Sequence, residues 1–122
     1  MWTLRKTFEI SASHCLDLPY KSKCQNIHGH NWKIIVEIKS SKLNDNQMVI
    51  DFSEIKKLLL KFDHTDLGKI FINTNSTCEN MAQLICHLIQ EEISKTEVSH
   101  YAKCTKVTVI ESEGNEVTYE NI

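Results

Sequence analysis

The chain carries a single proline and only three glycines in 122 residues, so its organisation has to be read from hydrophobic periodicity more than from breakers. It contains no low-complexity stretch and no internal repeat. No run of about 18 apolar residues occurs, which excludes a transmembrane helix as read from sequence. The opening Met1-Trp2-Thr3-Leu4-Arg5-Lys6 lacks the long apolar core of a secretory signal. The expectation is a cytoplasmic protein with no membrane partner. The net charge is only -2 and the basic residues are scattered, which leaves no electrostatic footprint for nucleic acid. Five cysteines, Cys15, Cys24, Cys78, Cys86 and Cys104, are odd in number and irregularly spaced. That pattern argues against a disulfide framework and for reduced thiols. What remains, 41% hydrophobic and 25% charged residues, is the composition of one globular domain spanning 1–122.

Periodicity predicts four strands and two helices. Thr3 to His14 and His30 to Ser40 alternate as half-buried strands, joined through a loop at Leu18-Pro19-Tyr20-Lys21-Ser22-Lys23, with a turn at Asn44-Asp45-Asn46 after the second. Asp51 followed by Glu54 resembles a capping box ahead of Phe52, Ile55, Leu58, Leu59 and Phe62 at helical spacing. Ser76 and Glu79 repeat that signature before Met81, Leu84, Ile85, Leu88, Ile89 and Ile93. Cys104 to Ser112 and Glu116 to Asn121 flank a hairpin turn at Glu113-Gly114-Asn115. The expected order is ββααββ, an α+β domain with a four-stranded antiparallel sheet and two helices on one face. Such a sheet leaves two unpaired edges, so assembly through edges is expected.

Side-chain parity singles out three histidines. Residues i and i+2 share a strand face. Phe8, Ile10, Ala12 and His14 are all even-numbered, as are His28, His30, Trp32, Ile34, Val36 and Ile38. Each apolar face thus runs into imidazoles, and pairing the strands would gather three nitrogen donors at the edge of a core. Three histidines leave one tetrahedral position open, the mark of a catalytic zinc.

Further residues carry more than one reading. Cys24, four positions before His28, is either a fourth ligand completing a closed Cys-His₃ structural site, a thiol held beside the metal as base or nucleophile, or an inert small side chain. The other cysteines read as small apolar residues, Cys78 among them on the helical stripe. Asp63-His64 pairs an acid with an imidazole that can move protons, or is a histidine at a helix C-terminus. Glu111 shares a face with Val107 and Val109, so it either accepts paired N–H donors from a flat heterocycle or turns into solvent. His87 and His100 read as surface residues.

Ser11-Ala12-Ser13-His14 with Cys24-Gln25-Asn26-Ile27-His28-Gly29-His30-Asn31 resembles the signature of the 6-pyruvoyltetrahydropterin and 6-carboxytetrahydropterin synthase family. Met48-Val49-Ile50-Asp51-Phe52, Phe62-Asp63-His64-Thr65-Asp66-Leu67, Ser76-Thr77-Cys78-Glu79-Asn80 and Glu111 resemble its later motifs in order. The resemblance implies the tunnelling fold, in which trimers close their sheets into a barrel and two trimers stack into a homohexamer with active sites at subunit boundaries. It implies Zn²⁺ on His14, His28 and His30, Cys24 as catalytic thiol, Asp63 and His64 as a proton relay reaching in from a neighbour, and Glu111 as anchor of the pterin ring. The chain departs from the pattern at Gln47, where glycine usually stands, at Gly68, where asparagine usually stands, and at Ser76, where bacterial enzymes carry proline.

The three residues between Cys24 and His28 resemble the carboxy branch; animal pyruvoyl synthases carry a longer insertion. The expected activity is that of a zinc-dependent lyase, 6-carboxytetrahydropterin synthase. It converts the pterin triphosphate 7,8-dihydroneopterin triphosphate to 6-carboxytetrahydropterin, acetaldehyde and triphosphate on the route to queuosine. The alternatives are 6-pyruvoyltetrahydropterin synthase and, from another class, a non-catalytic zinc-stabilised binding module. Lys21, Lys23 and Arg5 are candidate cations for the triphosphate.

Overall fold

Alternation in the first forty residues builds a long antiparallel hairpin. In the computed structural model, which describes residues 1–122, β1 runs Trp2–His14 and β2 His28–Ser40. They are followed by α1 (Phe52–Leu59), β3 (Thr65–Asp66), α2 (Cys78–Ser94), β4 (Ala102–Ser112) and β5 (Asn115–Glu120). The sheet order is β3-β1-β2-β4-β5, with every pairing antiparallel except the short β1–β3 contact.

The even face of the hairpin is the buried one. Ile10, Trp32, Ile34, Val36 and Ile38 are essentially inaccessible, as are Val107 and Val109 of β4. They meet the stripe Met81, Ala82, Ile85, Cys86, Ile89 and Ile93 of α2, and each large aliphatic side chain buried there stabilises the fold by about 1.5–3 kcal/mol. Trp32 also buries its polar atom safely, because Nε1 donates to the Ala12 carbonyl at 3.1 Å. On the opposite face the register sets Arg5, Glu37, Lys106 and Glu120 side by side across four strands, an alternating row of charge whose neighbours attract.

Four features differ from the sequence expectation. The sheet has five strands, because Thr65–Asp66 pairs in parallel with Ala12 and Ser13; two residues are too few to show an alternation. The α1 stripe is narrower than its periodicity implies. Ile55 and Leu59 are buried, Phe52 is exposed beneath Lys6, and Phe62 is buried from a 3₁₀ turn that follows the helix. Asp51 caps α1 by accepting from Ser53 N at 2.8 Å, which holds its carboxyl below the ordinary range, but Glu54 pairs with Lys57 instead of closing the box. Finally, α2 is capped by Thr77, whose side chain accepts from Asn80 N at 3.2 Å; Ser76 is buried and committed to His14. At Gln47 the backbone has φ 64°, the left-handed region that favours glycine, and the turn is held by Asn44, whose Oδ1 accepts from the N–H groups of Asn46 and Met48.

Candidate metal centre and active site

Pairing of β1 with β2 places His14 directly opposite His28 and Ala12 opposite His30. The three imidazoles therefore converge, with ring centroids 4.4 Å apart for His14–His28, 4.8 Å for His28–His30 and 5.6 Å for His14–His30. Trp32 forms the floor, edge-on to His14 at 4.8 Å and to His30 at 5.3 Å.

Hydrogen bonds choose the tautomers. His14 Nδ1 lies 2.9 Å from the Ser76 carbonyl, and His28 Nδ1 lies 2.7 Å from the Asn26 carbonyl. A carbonyl only accepts, so both Nδ1 atoms carry the proton and both Nε2 lone pairs face inward. His14 is 1% exposed, and its Nε2 is buried with no partner, an arrangement that costs free energy unless something binds there. Burial pushes the His14 pKa down, with the neighbouring His28 adding to the effect and the Ser76 carbonyl opposing it. The ring is thus held neutral, the form that binds a metal.

Glu111 completes the cluster. β4 carries a register shift against β5 between Ile110 and Ser112, which makes Glu111 an extra residue on its strand, and such a bulge re-aims a side chain. Its Oε1 lies 2.9 Å from His30 Nε2, yet that nitrogen makes no hydrogen bond. The distance suits one but the alignment does not. Ligand atoms of His14, His28, His30 and Glu111 all lie within 4.8 Å of one another, a group that could hold a metal ion at the usual ligand distances of about 2.0–2.2 Å.

Cys24 is not in that group. It sits on the 3₁₀ turn Lys23–Gln25, where its carbonyl accepts from Leu16 N at 2.6 Å, two residues beyond His14. Ser22 and Gln25 close a capping box around it, and Gln25 Nε2 also donates to the Leu18 carbonyl at 3.0 Å. The fourth converging side chain is therefore Glu111, and Cys24 is a half-buried thiol on a braced turn outside that group.

Asp63 and His64 reach β1 from the other side. Asp63 Oδ1 accepts from Ser11 N at 2.7 Å and from His64 N at 3.1 Å, and His64 N also bonds the Ser11 carbonyl. This clamp holds His64 at φ 54°, an unusual conformation for a non-glycine residue. The imidazole Nε2 is 3.7 Å from Asp63 Oδ2, beyond hydrogen-bond length, and its side chain is 83% exposed. His64, Asp66, Ser13, Asn31 and His30 line one groove of about 520 Å³. A second cavity, of about 280 Å³, is lined by His14, Thr77, Cys78, Glu79, Glu111 and Glu116 with no lysine or arginine. Its acidic wall suits the donor edge of a ligand.

A larger cavity of about 640 Å³ between α2, the 70–74 segment and β5 is lined by none of His14, His28 and His30, and no such cluster of titratable groups converges on it. Arg5 lies nine residues from His14 along β1, about 30 Å in extended chain, whereas Lys21 and Lys23 are exposed beside the Cys24 turn. His87 pairs with Glu91 at 3.0 Å on the surface of α2. Cys86 and Cys104 are buried with thiol pKa values pushed up by burial. Two site residues escaped the sequence reading. Ser76 holds His14, and Cys78 contacts Glu111 with Sγ 3.6 Å from Oε2. Neither contact has a local signal, since the partners stand 62 and 33 residues apart.

The sequence profile described as 6-pyruvoyl tetrahydropterin synthase matches residues 3–121. A 6-carboxy-5,6,7,8-tetrahydropterin synthase of Haemophilus influenzae is 36% identical over 90 residues, covering 70% of this chain and 63% of that protein. A 6-pyruvoyl tetrahydrobiopterin synthase of Drosophila melanogaster is 34% identical over 120 residues, covering 83% of this chain and 70% of that protein. The match spans less of the archaeal relatives, 36% of the length of a putative 6-carboxy-5,6,7,8-tetrahydropterin synthase of Pyrococcus horikoshii. The solved structure of Caenorhabditis elegans 6-pyruvoyl tetrahydropterin synthase superposes with a TM-score of 0.76 at 29% identity, covering 99% of this chain and 96% of that one.

Proposed function

The chain belongs to the 6-pyruvoyl tetrahydropterin synthase family, with that family's α+β tunnelling fold, and from this premise we propose that it is a zinc-dependent 6-carboxytetrahydropterin synthase. Its substrate would be 7,8-dihydroneopterin triphosphate, and its products 6-carboxytetrahydropterin, acetaldehyde and triphosphate, on the cytoplasmic route to queuosine. The observation that carries the enzymatic reading is the convergence of three imidazoles, two with Nε2 freed by an Nδ1 hydrogen bond, on an acid-lined cavity. The branch rests on the three-residue interval between Cys24 and His28 and on relatives named for the carboxy product.

Zinc on His14, His28 and His30 would supply a Lewis acid that polarises the side-chain oxygens of the substrate. The Cys24 thiol takes a proton from the adjacent carbon, its turn held by the Leu16 bond and the capping box. His64 moves protons on the opposite side, set in its groove by the Asp63 clamp on Ser11. Glu111 accepts the paired N–H donors of the pterin ring and keeps the reacting carbons in register. We assign residues 1–122 to one domain and the assembly to a homohexamer built through the edge of β5 and the stretch of β1 that the two-residue β3 leaves unpaired, with sites at subunit boundaries.

A second reading, 6-pyruvoyltetrahydropterin synthase, is favoured by the Drosophila relative, which matches more of the chain than the Haemophilus one. Mass analysis after incubation with dihydroneopterin triphosphate separates the two. The carboxy reading expects a one-carbon carboxylate on the pterin and acetaldehyde trapped by coupled alcohol dehydrogenase. A retained three-carbon side chain without acetaldehyde moves the chain to the pyruvoyl branch, and no turnover of either kind overturns the enzymatic reading.

A further inference from the structure

Cys78 is the first residue of α2 and is 8% exposed. Position and burial alone would make it a helix residue of no consequence. Its Sγ, however, lies 3.6 Å from Glu111 Oε2, and both side chains line the same cavity of about 280 Å³ beside His14. Glu111 stands on a bulge, where the strand ladder leaves a side chain freer than in regular pairing. Its other oxygen is only 2.9 Å from His30 and makes no hydrogen bond there. The thiol is thus the one hydrogen-bond donor that the protein presents to this carboxylate.

We propose that Cys78 is a positioning residue for Glu111. Its S–H donates to Oε2 and fixes the carboxylate plane, so that the remaining acceptor sites of Glu111 face the cavity where a planar heterocycle with paired N–H donors docks. A carboxylate has about four acceptor sites, so one S–H bond still leaves the others for a ligand. Neither neighbour takes this place: the Thr77 hydroxyl oxygen accepts from Asn80 N as the α2 cap and makes no bond to Glu111, and Ser76 faces His14.

The docking half of this inference rests on the pterin reading above, and the experiment keeps the two apart. In the zinc-loaded full chain, neopterin binding is followed by fluorescence quenching, and kcat and KM are measured with dihydroneopterin triphosphate. Cys78→Ala is expected to weaken neopterin about tenfold, ~1.4 kcal/mol, with the loss falling on KM more than on kcat. Cys78→Ser, which keeps a donor, should restore most of it. In a Glu111→Gln background, Cys78→Ala should add little, because both changes act on one contact. The infrared S–H stretch of Cys78, identified by its loss in Cys78→Ala, should shift in Glu111→Gln with no ligand present. Unchanged neopterin affinity in Cys78→Ala, additive losses in the double variant, or an S–H band indifferent to Glu111 would each overturn the inference. If the wild-type protein fails to bind neopterin, the pterin reading and the docking role fall together. The S–H band alone then decides whether Cys78 holds Glu111.

Discussion

Metal binding at the histidine cluster should be measurable as stability, and its size follows from mass action and the length of the chain. An ion bound only by the folded chain stabilises it by RT ln(1 + [L]/Kd), about 4 kcal/mol at a thousandfold excess over Kd. For 122 residues the unfolding entropy is roughly 0.26 kcal/mol per degree, so the melting temperature should rise by about 16 °C. The assay is thermal unfolding of chelator-stripped protein at pH 7.5, with and without buffered zinc. His14→Ala, His28→Ala and His30→Ala should each lose most of the shift. The zinc-induced shift within each variant is the quantity to compare, because His14 is buried and its removal also lowers the metal-free baseline. The pH dependence has a definite sign. Burial lowers the folded-state pKa of His14 below its unfolded value of about 6.5. The folded chain therefore holds fewer protons than the unfolded one as pH falls below about 6.5, and metal-free stability contributed by this ring is present above that pH and lost below it. Zinc binding needs neutral nitrogens, so the zinc-induced shift should shrink over the same range. A shift of the same size in the three variants as in the wild type would refute the assignment, as would no shift in the wild type.

Cys24→Ala should retain about one zinc per chain and lose on the order of 10²–10⁴ in turnover; loss of zinc by metal analysis would instead make the thiol a ligand. Trp32→Phe removes the Nε1 donor from the buried Ala12 carbonyl, which should lower metal-free stability by about 1–3 kcal/mol. A urea midpoint equal to that of the wild type would show the contact to be idle. Thr77→Ala should cost about 1 kcal/mol through loss of the α2 cap. An unchanged urea unfolding curve would move the cap elsewhere.

The hairpin and the convergence of His14, His28 and His30 were legible in the linear sequence because strand side chains repeat every two residues, so a shared face follows from counting. The α2 stripe was legible for the same kind of reason, since its apolar residues recur at the helical period over seventeen residues. Parity also put Glu111 on the face of Val107 and Val109. It could not tell that a bulge lies there, nor that the carboxylate reaches His30 and Cys78. β3 was invisible because two residues carry no period. The cap of α2 was misplaced by one residue because Ser76 and Thr77 are chemically equivalent caps, and only the commitment of Ser76 to His14, 62 residues away, removes it from the choice. The tautomers that free His14 and His28 Nε2 depend on carbonyls whose direction the chain path sets. Periodicity is a property of neighbours along the chain, whereas a hydrogen-bond partner or an empty lone pair is a property of neighbours in space, and those exist only once the core has closed.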